Sequence, residues 1–273
     1  MTGGFRTPDG GRIDRSTPLS FSFDGKRYVG SQGDTLASAL LANGVHLVGR
    51  SFKYHRPRGI MSAGSEEPNA LVTIDRGAGR ITPNLRATQL ELYDGMRAFS
   101  QNRFPSLAFD LAAVNNMIAP IFSAGFYYKT FMWPRAFWRY VYEPAIRAAA
   151  GLGRAPTMPD PDRYLHHYAH CDVLVIGAGP TGLAAAVAAS AGGARVVLCD
   201  EQSEPGGSLL AETGARIDGE IASDWLRETL DVLGRRASVT LLPRTTAFGW
   251  YPDNLIGLVQ RVTDHLAEPD LRL

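Results

Sequence analysis

The chain has 273 residues, a net charge of +1 and 45% hydrophobic residues, which is enough for two modest domains with their own cores. The balanced charge gives no reason to expect nucleic acid or an anionic membrane surface as a partner. No run of about 18 apolar residues predicts a membrane span, and residues 1–11 are too polar and glycine-rich for a signal peptide. We therefore expect a cytoplasmic protein. Its two cysteines, Cys171 and Cys199, are not in CxxC spacing, which indicates buried, reduced thiols.

The N-terminal third has the alternation and turns of a small α+β domain. After a flexible lead-in over residues 1–17, short apolar segments bounded by turn residues predict four strands, at 19–23, 26–30, 71–74 and 88–92, and one helix, at 36–42. Asp24 and Gly25 form a strong hairpin signal between the first two strands. A hairpin, a helix and later strands predict a β-grasp fold over residues 18–97, a size that can fold alone.

Residues 98–168 form an aromatic-rich connector, which prolines are expected to break into short helices. A short connector cannot bury so many aromatic side chains by itself, so we expect a surface that packs on another subunit or on a further part of the chain. The alternative is a self-contained helical cap on the domain that follows. Residues 151–162 are rich in proline and glycine, which indicates a linker.

Residues 171–200 have the layout of a strand, a glycine-rich turn, a helix and a second strand that ends in an acid. In the GAGPTG turn, Gly177 permits the tight bend, Gly179 lets the backbone approach a pyrophosphate, and Gly182 lets the helix pack close to the strand. The helix that follows would direct free N–H groups and the positive end of its dipole at the phosphates. These features predict a Rossmann-type α/β dinucleotide-binding domain over residues 169–273.

Asp200 ends the second predicted strand, close to where a carboxylate hydrogen-bonds a ribose hydroxyl. No lysine or arginine follows directly, so NAD, or FAD as the alternative, is favoured over NADP, whose 2′-phosphate the acid would repel. Glu201 could replace Asp200 if the strand ended one residue later. The pair Gly206 and Gly207 predicts a backbone turn back towards the dinucleotide. The candidate cofactor-binding residues are Gly177, Ala178, Gly179, Pro180, Thr181, Gly182, Asp200, Glu201, Gly206 and Gly207.

The sequence shows no pattern typical of a catalytic or metal site. No Ser-His-Asp or paired-carboxylate arrangement is recognisable in the sequence, so no catalytic residue is assigned. His166, His167 and His170 have no matching cysteine or acid cluster, and no metal site is expected.

A basic loop combines Lys53, Arg56 and Arg58 with Tyr54 and His55. It could bind a phosphate or the acidic patch of a partner. The alternative is a solvated loop held by its proline and glycine residues.

The last part of the chain predicts an amphipathic helix at 221–233, a strand at 239–242 and the start of another strand at 245–251. A doubly wound domain needs further parallel strands to complete its sheet. We therefore expect a domain that is incomplete at its C-terminus, and a chain that is a fragment or a truncated product.

Four segments resemble the N-terminal portion of the α subunits of heterotetrameric sarcosine oxidases. They are residues 24–45 (DGKRYVGSQGDTLASALLANGV), 49–72 (GRSFKYHRPRGIMSAGSEEPNALV), 170–186 (HCDVLVIGAGPTGLAAA) and 200–210 (DEQSEPGGSLL). The resemblance implies a longer polypeptide with a β-grasp domain, a dinucleotide domain that holds NAD, and a C-terminal folate-binding domain. It also implies partner subunits β, γ and δ, with FAD held by the β subunit. FMN would lie near the α–β contact.

The activity that this resemblance implies is the oxidation of the CH–NH group of sarcosine with oxygen as acceptor. Glycine and peroxide would form, and the one-carbon unit would pass to tetrahydrofolate. The catalytic residues would lie outside this chain.

The β-grasp part is also similar to 2Fe-2S ferredoxin-type domains of opine and amine dehydrogenase subunits, which hold a cluster on four cysteines. Residues 49–72 contain no cysteine, so a cluster is excluded here and the domain is interpreted as a structural remnant. Two other functions stay open: an FAD-binding subunit of an opine or amine dehydrogenase, and an inactive truncated product.

Overall fold

The structure, a computed structural model, describes residues 4–77, 79–117, 119–120, 125, 131–148, 150–267 and 271–272. The chain divides into two compact units, the first made of Met1–Pro8 with Ile13–Pro161 and the second of Asp9–Arg12 with Asp162–Leu273. Each unit has its own hydrophobic core. Among the residues described, no helix combines the length and apolar character that crossing a bilayer requires.

The first unit is built on a mixed sheet. Its strands are β1 (Asp14–Phe23), β2 (Lys26–Gln32), β3 (Gly49–Arg50), β4 (Pro57–Arg58), β5 (Leu71–Asp75), β6 (Ile81–Arg86) and β7 (Met96–Ser100). β3 pairs with β4, and the other five form one sheet in the order β2-β1-β7-β5-β6. β1 and β7 are parallel at its centre, while the remaining pairs are antiparallel. With helix α1 (Leu36–Ala42) sharing its core, this is the predicted β-grasp fold.

The hairpin and the helix form where the sequence places apolar side chains on inward positions. In β1, Leu19, Phe21 and Phe23 are buried and alternate with serines that are less buried. α1 begins at a capping box in which Thr35 and Ser38 satisfy each other's backbone N–H groups. The domain core therefore lies between α1 and the sheet.

Two sequence-based expectations for this domain differ from the structure. β1 begins at Asp14, inside the predicted lead-in of residues 1–17, because Asp14 pairs with Gln32 of β2 across a register irregularity, which the exposed polar residues do not signal in the sequence. The prediction of a strand at 88–92 is wrong. That segment is a turn in which Glu91 makes a single bridge to Thr35, and its apolar residues face the core from a loop.

Two strands of this sheet, β6 and β7, were not predicted from the sequence. β6 was missed because Pro83 and Asn84, which has φ of +62°, interrupt its alternating pattern. β7 crosses the predicted boundary between residues 97 and 98 and pairs with both β1 and β5.

The described part of the aromatic-rich connector contains short helical segments. A 3₁₀-helix covers Leu111–Asn116, and α2 (Arg135–Phe137), a π-helix (Trp138–Tyr142) and α3 (Glu143–Ala148) follow one another directly. Trp133 is 81% exposed and Tyr140 is 73% exposed. A partner for this surface stays a prediction, and Phe122, Phe126, Tyr127 and Tyr128 lie outside the described residues.

The second unit contains a parallel sheet flanked by hairpins. Its elements are β8 (Arg163–Tyr164), β9 (Val173–Ile176), α4 (Pro180–Ala191), β10 (Val196–Cys199), β11 (Arg216–Ile217), β12 (Glu220–Ile221), α5 (Ala222–Arg235), β13 (Val239–Leu242), β14 (Thr245–Tyr251), β15 (Leu255–Gln260) and β16 (Leu271–Arg272). β9, β10 and β13 form the parallel sheet in the order β13-β10-β9. This is the order of the first half of a Rossmann domain, and it confirms the predicted α/β class.

The strand predicted at 245–251 forms as β14, but it pairs antiparallel with β15 and does not extend the parallel sheet. A parallel neighbour needs a crossover of a dozen or more residues, usually a helix. Only Pro243 and Arg244 separate β13 from β14, which is too short for such a crossover, so β14 leaves the parallel sheet and pairs with β15 instead.

Candidate dinucleotide-binding site

The glycine-rich turn connects the carboxyl end of β9 to α4, and no side chain covers the backbone of its first two glycines. Gly177 has φ of +98°, which a residue with a Cβ rarely adopts, and its N–H donates to the carbonyl of Cys199 at 2.8 Å. Gly179 is the residue that caps α4. A Cβ added at Gly177 or Gly179 would meet no atom within 4 Å, so both backbones border open space.

Gly182 has the opposite environment. A Cβ there would overlap the carbonyl oxygen of Gly177 and lie 3.0 Å from its carbonyl carbon and 3.4 Å from Cγ1 of Val175. The helix can pack this close to the turn and the strand only because residue 182 has no side chain. This is the packing role that the sequence predicted for the third glycine.

The first turn of α4 presents backbone donors towards the same open space. Pro180 occupies the first helical position and has no N–H, so the first free N–H groups of the helix belong to Thr181 and Gly182. Thr181 is exposed, whereas Ala178, one residue before the cap, is 1% exposed. The positive end of the helix dipole adds to these donors, so an anionic group is favoured here.

Asp200 lies directly after β10 and contacts the glycine turn. Its Oδ2 accepts the N–H of Ala178 at 2.6 Å, and its Oδ1 accepts the N–H of Gln202 at 2.7 Å. The backbone of Asp200 is fixed as well, because its N–H donates to Leu242 and its carbonyl accepts from Thr245. The acid that faces the turn is therefore Asp200.

Glu201 has a different environment from Asp200, because it contacts Arg261, a residue that was not predicted from the sequence. The guanidinium of Arg261 donates to the carbonyl oxygen of Glu201. Arg261 follows β15, and the N–H of Arg261 donates to the carbonyl of Arg244 at 3.0 Å, so the hairpin of β14 and β15 carries this cation back to the end of β10. Only a prediction of that hairpin could have revealed the contact from the sequence.

The pair Gly206 and Gly207 packs on the glycine turn, as the sequence suggested. The N–H of Gly206 donates to the carbonyl of Ala178 at 2.7 Å. Gly207 has φ of +54°, and a Cβ there would lie 2.9 Å from Cα of Gly179. A 3₁₀-helix, Gly207–Leu210, begins at this contact. The two glycine segments thus form one continuous backbone surface.

The site residues fit the ADP portion of a dinucleotide. The open space beside Gly177 and Gly179 is where a diphosphate needs close backbone approach, the start of α4 supplies N–H donors, and Asp200 supplies a carboxylate for a ribose. All ten candidate residues lie on the glycine turn, in the first turn of α4, directly after β10 or in the Gly206 and Gly207 turn. Within the described residues, no group of three or more His, Cys, Asp or Glu side chains could hold a metal ion.

The residues of the β-grasp domain do not fit a 2Fe-2S cluster. The chain has two cysteines, Cys171 and Cys199, and both lie in the second unit. A cluster of this kind needs four cysteine ligands, or two with two histidines. No step of a reaction can be assigned to iron and sulfur in this domain.

A buried carboxylate organises the loop that precedes β5. Glu67 is 1% exposed and accepts four backbone N–H groups, from Met61, Ser62, Asn69 and Ala70, at 2.7 to 3.2 Å. Burial raises the pKa of the Glu67 carboxyl, but these backbone donors outweigh burial and hold the pKa below its usual range. The loop is therefore held by an internal anion.

Two protein-family models match the two domains. Residues 16–103 match a 2Fe-2S iron-sulfur cluster binding domain, and residues 172–259 match an FAD dependent oxidoreductase domain. The first match shows the fold of the β-grasp domain, although the cluster ligands are absent from it. With the parallel sheet and the glycine turn, the second match defines the class: a dinucleotide-binding domain of the oxidoreductase type.

Comparison with curated proteins relates nearly the whole chain to one kind of subunit. The chain is 62% identical to the sarcosine oxidase alpha subunit of Rhizobium meliloti over 97% of its own length, and 38% identical to that of Corynebacterium sp. (strain U-96) over 95%. It spans only 27% and 22% of these relatives. The chain is thus homologous to the N-terminal part of sarcosine oxidase alpha subunits, which confirms the resemblance seen in the sequence.

Two further comparisons are more limited. An opine oxidase subunit of Agrobacterium tumefaciens is 63% identical over 41 residues, which is 15% of this chain and 8% of that protein. The crystal structure of L-proline dehydrogenase from P. horikoshii aligns with a TM-score of 0.55 and 17% identity over 93% of this chain and 38% of that chain. At this identity the structural match supports the fold alone.

Proposed function

We propose that the second unit binds a dinucleotide through its ADP portion. Gly177, Ala178, Gly179, Pro180, Thr181 and Gly182 form the phosphate cradle; Gly206 and Gly207 support it. Asp200 accepts the ribose hydroxyls. The observation that carries this proposal is the hydrogen bond from Ala178 to Asp200, which holds a carboxylate beside a glycine turn whose backbone borders open space.

NAD is our proposed dinucleotide. The glycine turn and a terminal acid suit NAD and FAD alike, since both share the ADP portion. The two acids Asp200 and Glu201 disfavour the 2′-phosphate of NADP. The guanidinium of Arg261 is already engaged in a hydrogen bond to the carbonyl oxygen of Glu201. When bound, NAD supplies a hydride acceptor; the residues of this chain supply orientation and binding.

We further propose that the chain acts as part of an oxidoreductase subunit in an assembly with other subunits. The homology to sarcosine oxidase alpha subunits supports sarcosine as the substrate class. Oxygen as the acceptor with peroxide formed, and transfer of the one-carbon unit to tetrahydrofolate, are further parts of this proposal. The β, γ and δ subunits are the proposed partners, with FAD and FMN on or near the β subunit. We assign no catalytic residue to this chain.

The second candidate is an FAD-binding subunit of an opine or amine dehydrogenase. It is favoured by the match of residues 172–259 to an FAD dependent oxidoreductase domain and by the short similarity to the opine oxidase subunit of Agrobacterium tumefaciens. An inactive product that binds no dinucleotide is the remaining alternative.

Calorimetric titration of the purified chain with NAD, NADP and FAD tests the proposal. We expect NAD to bind more tightly than NADP, and Asp200→Asn to weaken NAD at least about tenfold, because a charged hydrogen bond to ribose contributes about 1.5–3 kcal/mol. Asp172→Asn is the matched control, since Asp172 is an exposed acid of the same domain that pairs with Arg195. Tight binding of FAD without NAD would favour the second candidate.

A further inference from the structure

The first unit contains a cavity of about 460 Å³ beside β3 and β4 that the proposed function does not use. Its wall includes Lys53, Tyr54, Arg56 and Arg58 of the basic loop found in the sequence, and the structure adds Arg50 and the ring of Phe52. Among the described residues that line this cavity, none is acidic. Its volume falls within the range of small-molecule sites, roughly 300–1,000 Å³.

Buried hydrogen bonds of His55 and Arg50 hold the backbone of the basic loop. His55 is 5% exposed with φ of +52°, and its Nδ1 lies 2.7 Å from Oδ2 of Asp110. Arg50 donates from Nη1 to the carbonyl of His55 at 2.9 Å and from Nε to the carbonyl of Leu107 at 3.0 Å. The cavity wall therefore has a fixed shape before any ligand arrives, which lowers the cost of binding.

The cations of the loop gather around one aromatic ring. Nζ of Lys53 lies 5.0 Å from the centre of the Tyr54 ring, and Cζ of Arg56 lies 4.8 Å from it. Nε of Arg56 donates to Oδ1 of Asn116, a neutral group, at 2.8 Å. Asp110 lies 3.9 Å from Nε of Arg50. This ion pair offsets the charge of Arg50, so the positive field along the wall comes from the basic loop itself, and an anion would relieve it.

We propose that this cavity binds a small organic phosphate with a planar ring. Arginine forks match phosphate oxygens with two hydrogen bonds each, which favours a phosphate group as the anion. Phe52 and Tyr54 provide faces for a ring, and Phe52 is 62% exposed. A concave site favours a small molecule over the acidic surface of a partner protein, which would need a flat or convex contact.

Calorimetric titration of the full chain with phenyl phosphate and with inorganic phosphate tests this proposal. We expect phenyl phosphate to bind, and the double variant Arg56→Gln with Arg58→Gln to weaken it at least about tenfold, because the variant removes the charged hydrogen bonds that these arginines would donate to the phosphate. The matched control is Lys26→Gln with Arg27→Gln, which removes two exposed charges from β2 and should leave the affinity unchanged. Phe52→Ala should weaken phenyl phosphate but not inorganic phosphate.

The dinucleotide site could also attract a phosphate, so the titration is repeated with Gly179→Val, which should bind phenyl phosphate normally. Loss of binding in Gly179→Val, equal affinity in both double variants, or no binding of phenyl phosphate to the unchanged chain would overturn the proposal. Binding of a polyglutamate peptide without phenyl phosphate would replace it with a protein-docking surface. If the glutamine double variant fails to fold, the Phe52→Ala comparison decides.

Discussion

Gly182 offers the sharpest test of how the glycine turn is built. In Gly182→Ala, the new methyl group would overlap the carbonyl oxygen of Gly177, a backbone atom that cannot rotate away. The start of α4 must therefore move from β9 by on the order of 1 Å to restore ordinary contact. The substitution separates the packing role of this glycine from its helix propensity, which alone would favour alanine.

The expected cost follows from two opposing effects. Alanine is favoured over glycine inside a helix by about 1 kcal/mol, while overpacking a tight contact costs about 1–3 kcal/mol. Because the contact is with backbone, we expect the upper end of that range and a net loss of about 2 kcal/mol. Gly234→Ala is the matched control: Gly234 lies near the end of α5 with no atom within 4 Å of the added Cβ, so we expect a gain of about 0.5–1 kcal/mol.

Urea titration measures the difference in stability between the two variants. Hydrogen exchange of peptides from α4 then reports the stability of the second unit separately from that of the first. NAD affinity is the second readout, since a shift of α4 also moves the N–H groups of Thr181 and Gly182. If Gly182→Ala were as stable as Gly234→Ala and bound NAD normally, the close packing of α4 on the turn would be refuted.

Two further substitutions test the supporting contacts. Gly207→Ala places a Cβ 2.9 Å from Cα of Gly179 at φ of +54°, so we expect a loss of about 1–3 kcal/mol and weaker NAD binding, measured by the same urea and calorimetric assays; unchanged NAD affinity would mean that Gly207 does not support the cradle. Glu67→Gln turns an amide group towards backbone N–H donors, and we expect a loss of about 2–4 kcal/mol at pH 7. Because the native pKa of Glu67 is lowered, its contribution is fully present above the ordinary value of 4.5 and is lost as the pH falls through the native pKa, so wild type and Glu67→Gln should converge in acid. A difference that is constant from pH 7 to pH 3 would contradict this reasoning.

Local sequence patterns predicted the geometry of the glycine turn and its helix well, because these parts lie close together in the chain. The glycine turn, the helix and the acid span residues 177–200, and the chemistry of each glycine depends on its neighbours within one βαβ unit. The structure places Gly177 and Gly179 at open backbone and Gly182 in tight packing, as the pattern indicates. Asp200, and not Glu201, accepts a hydrogen bond from the turn, which favours Asp200 over the alternative left open by the sequence.

Features that depend on distant pairing could not be read from the sequence. β6 carries Pro83, and it forms because β5 offers a partner edge, which no local pattern reveals. Arg261 reaches Glu201 only through the hairpin of β14 and β15. The contact of His55 with Asp110 joins residues 55 positions apart and gives the basic loop a fixed shape. In each case tertiary contacts override the local signal.

The most direct test of the central claim is the mass of the small molecule released when the purified chain is denatured, with its molar ratio to protein. The account predicts NAD, at a ratio that falls in Asp200→Asn and is unchanged in Asp172→Asn. FAD in its place would contradict NAD as the cofactor and support the opine or amine dehydrogenase alternative. A chain that releases no dinucleotide, and gains none when incubated with NAD, would contradict the proposed site itself.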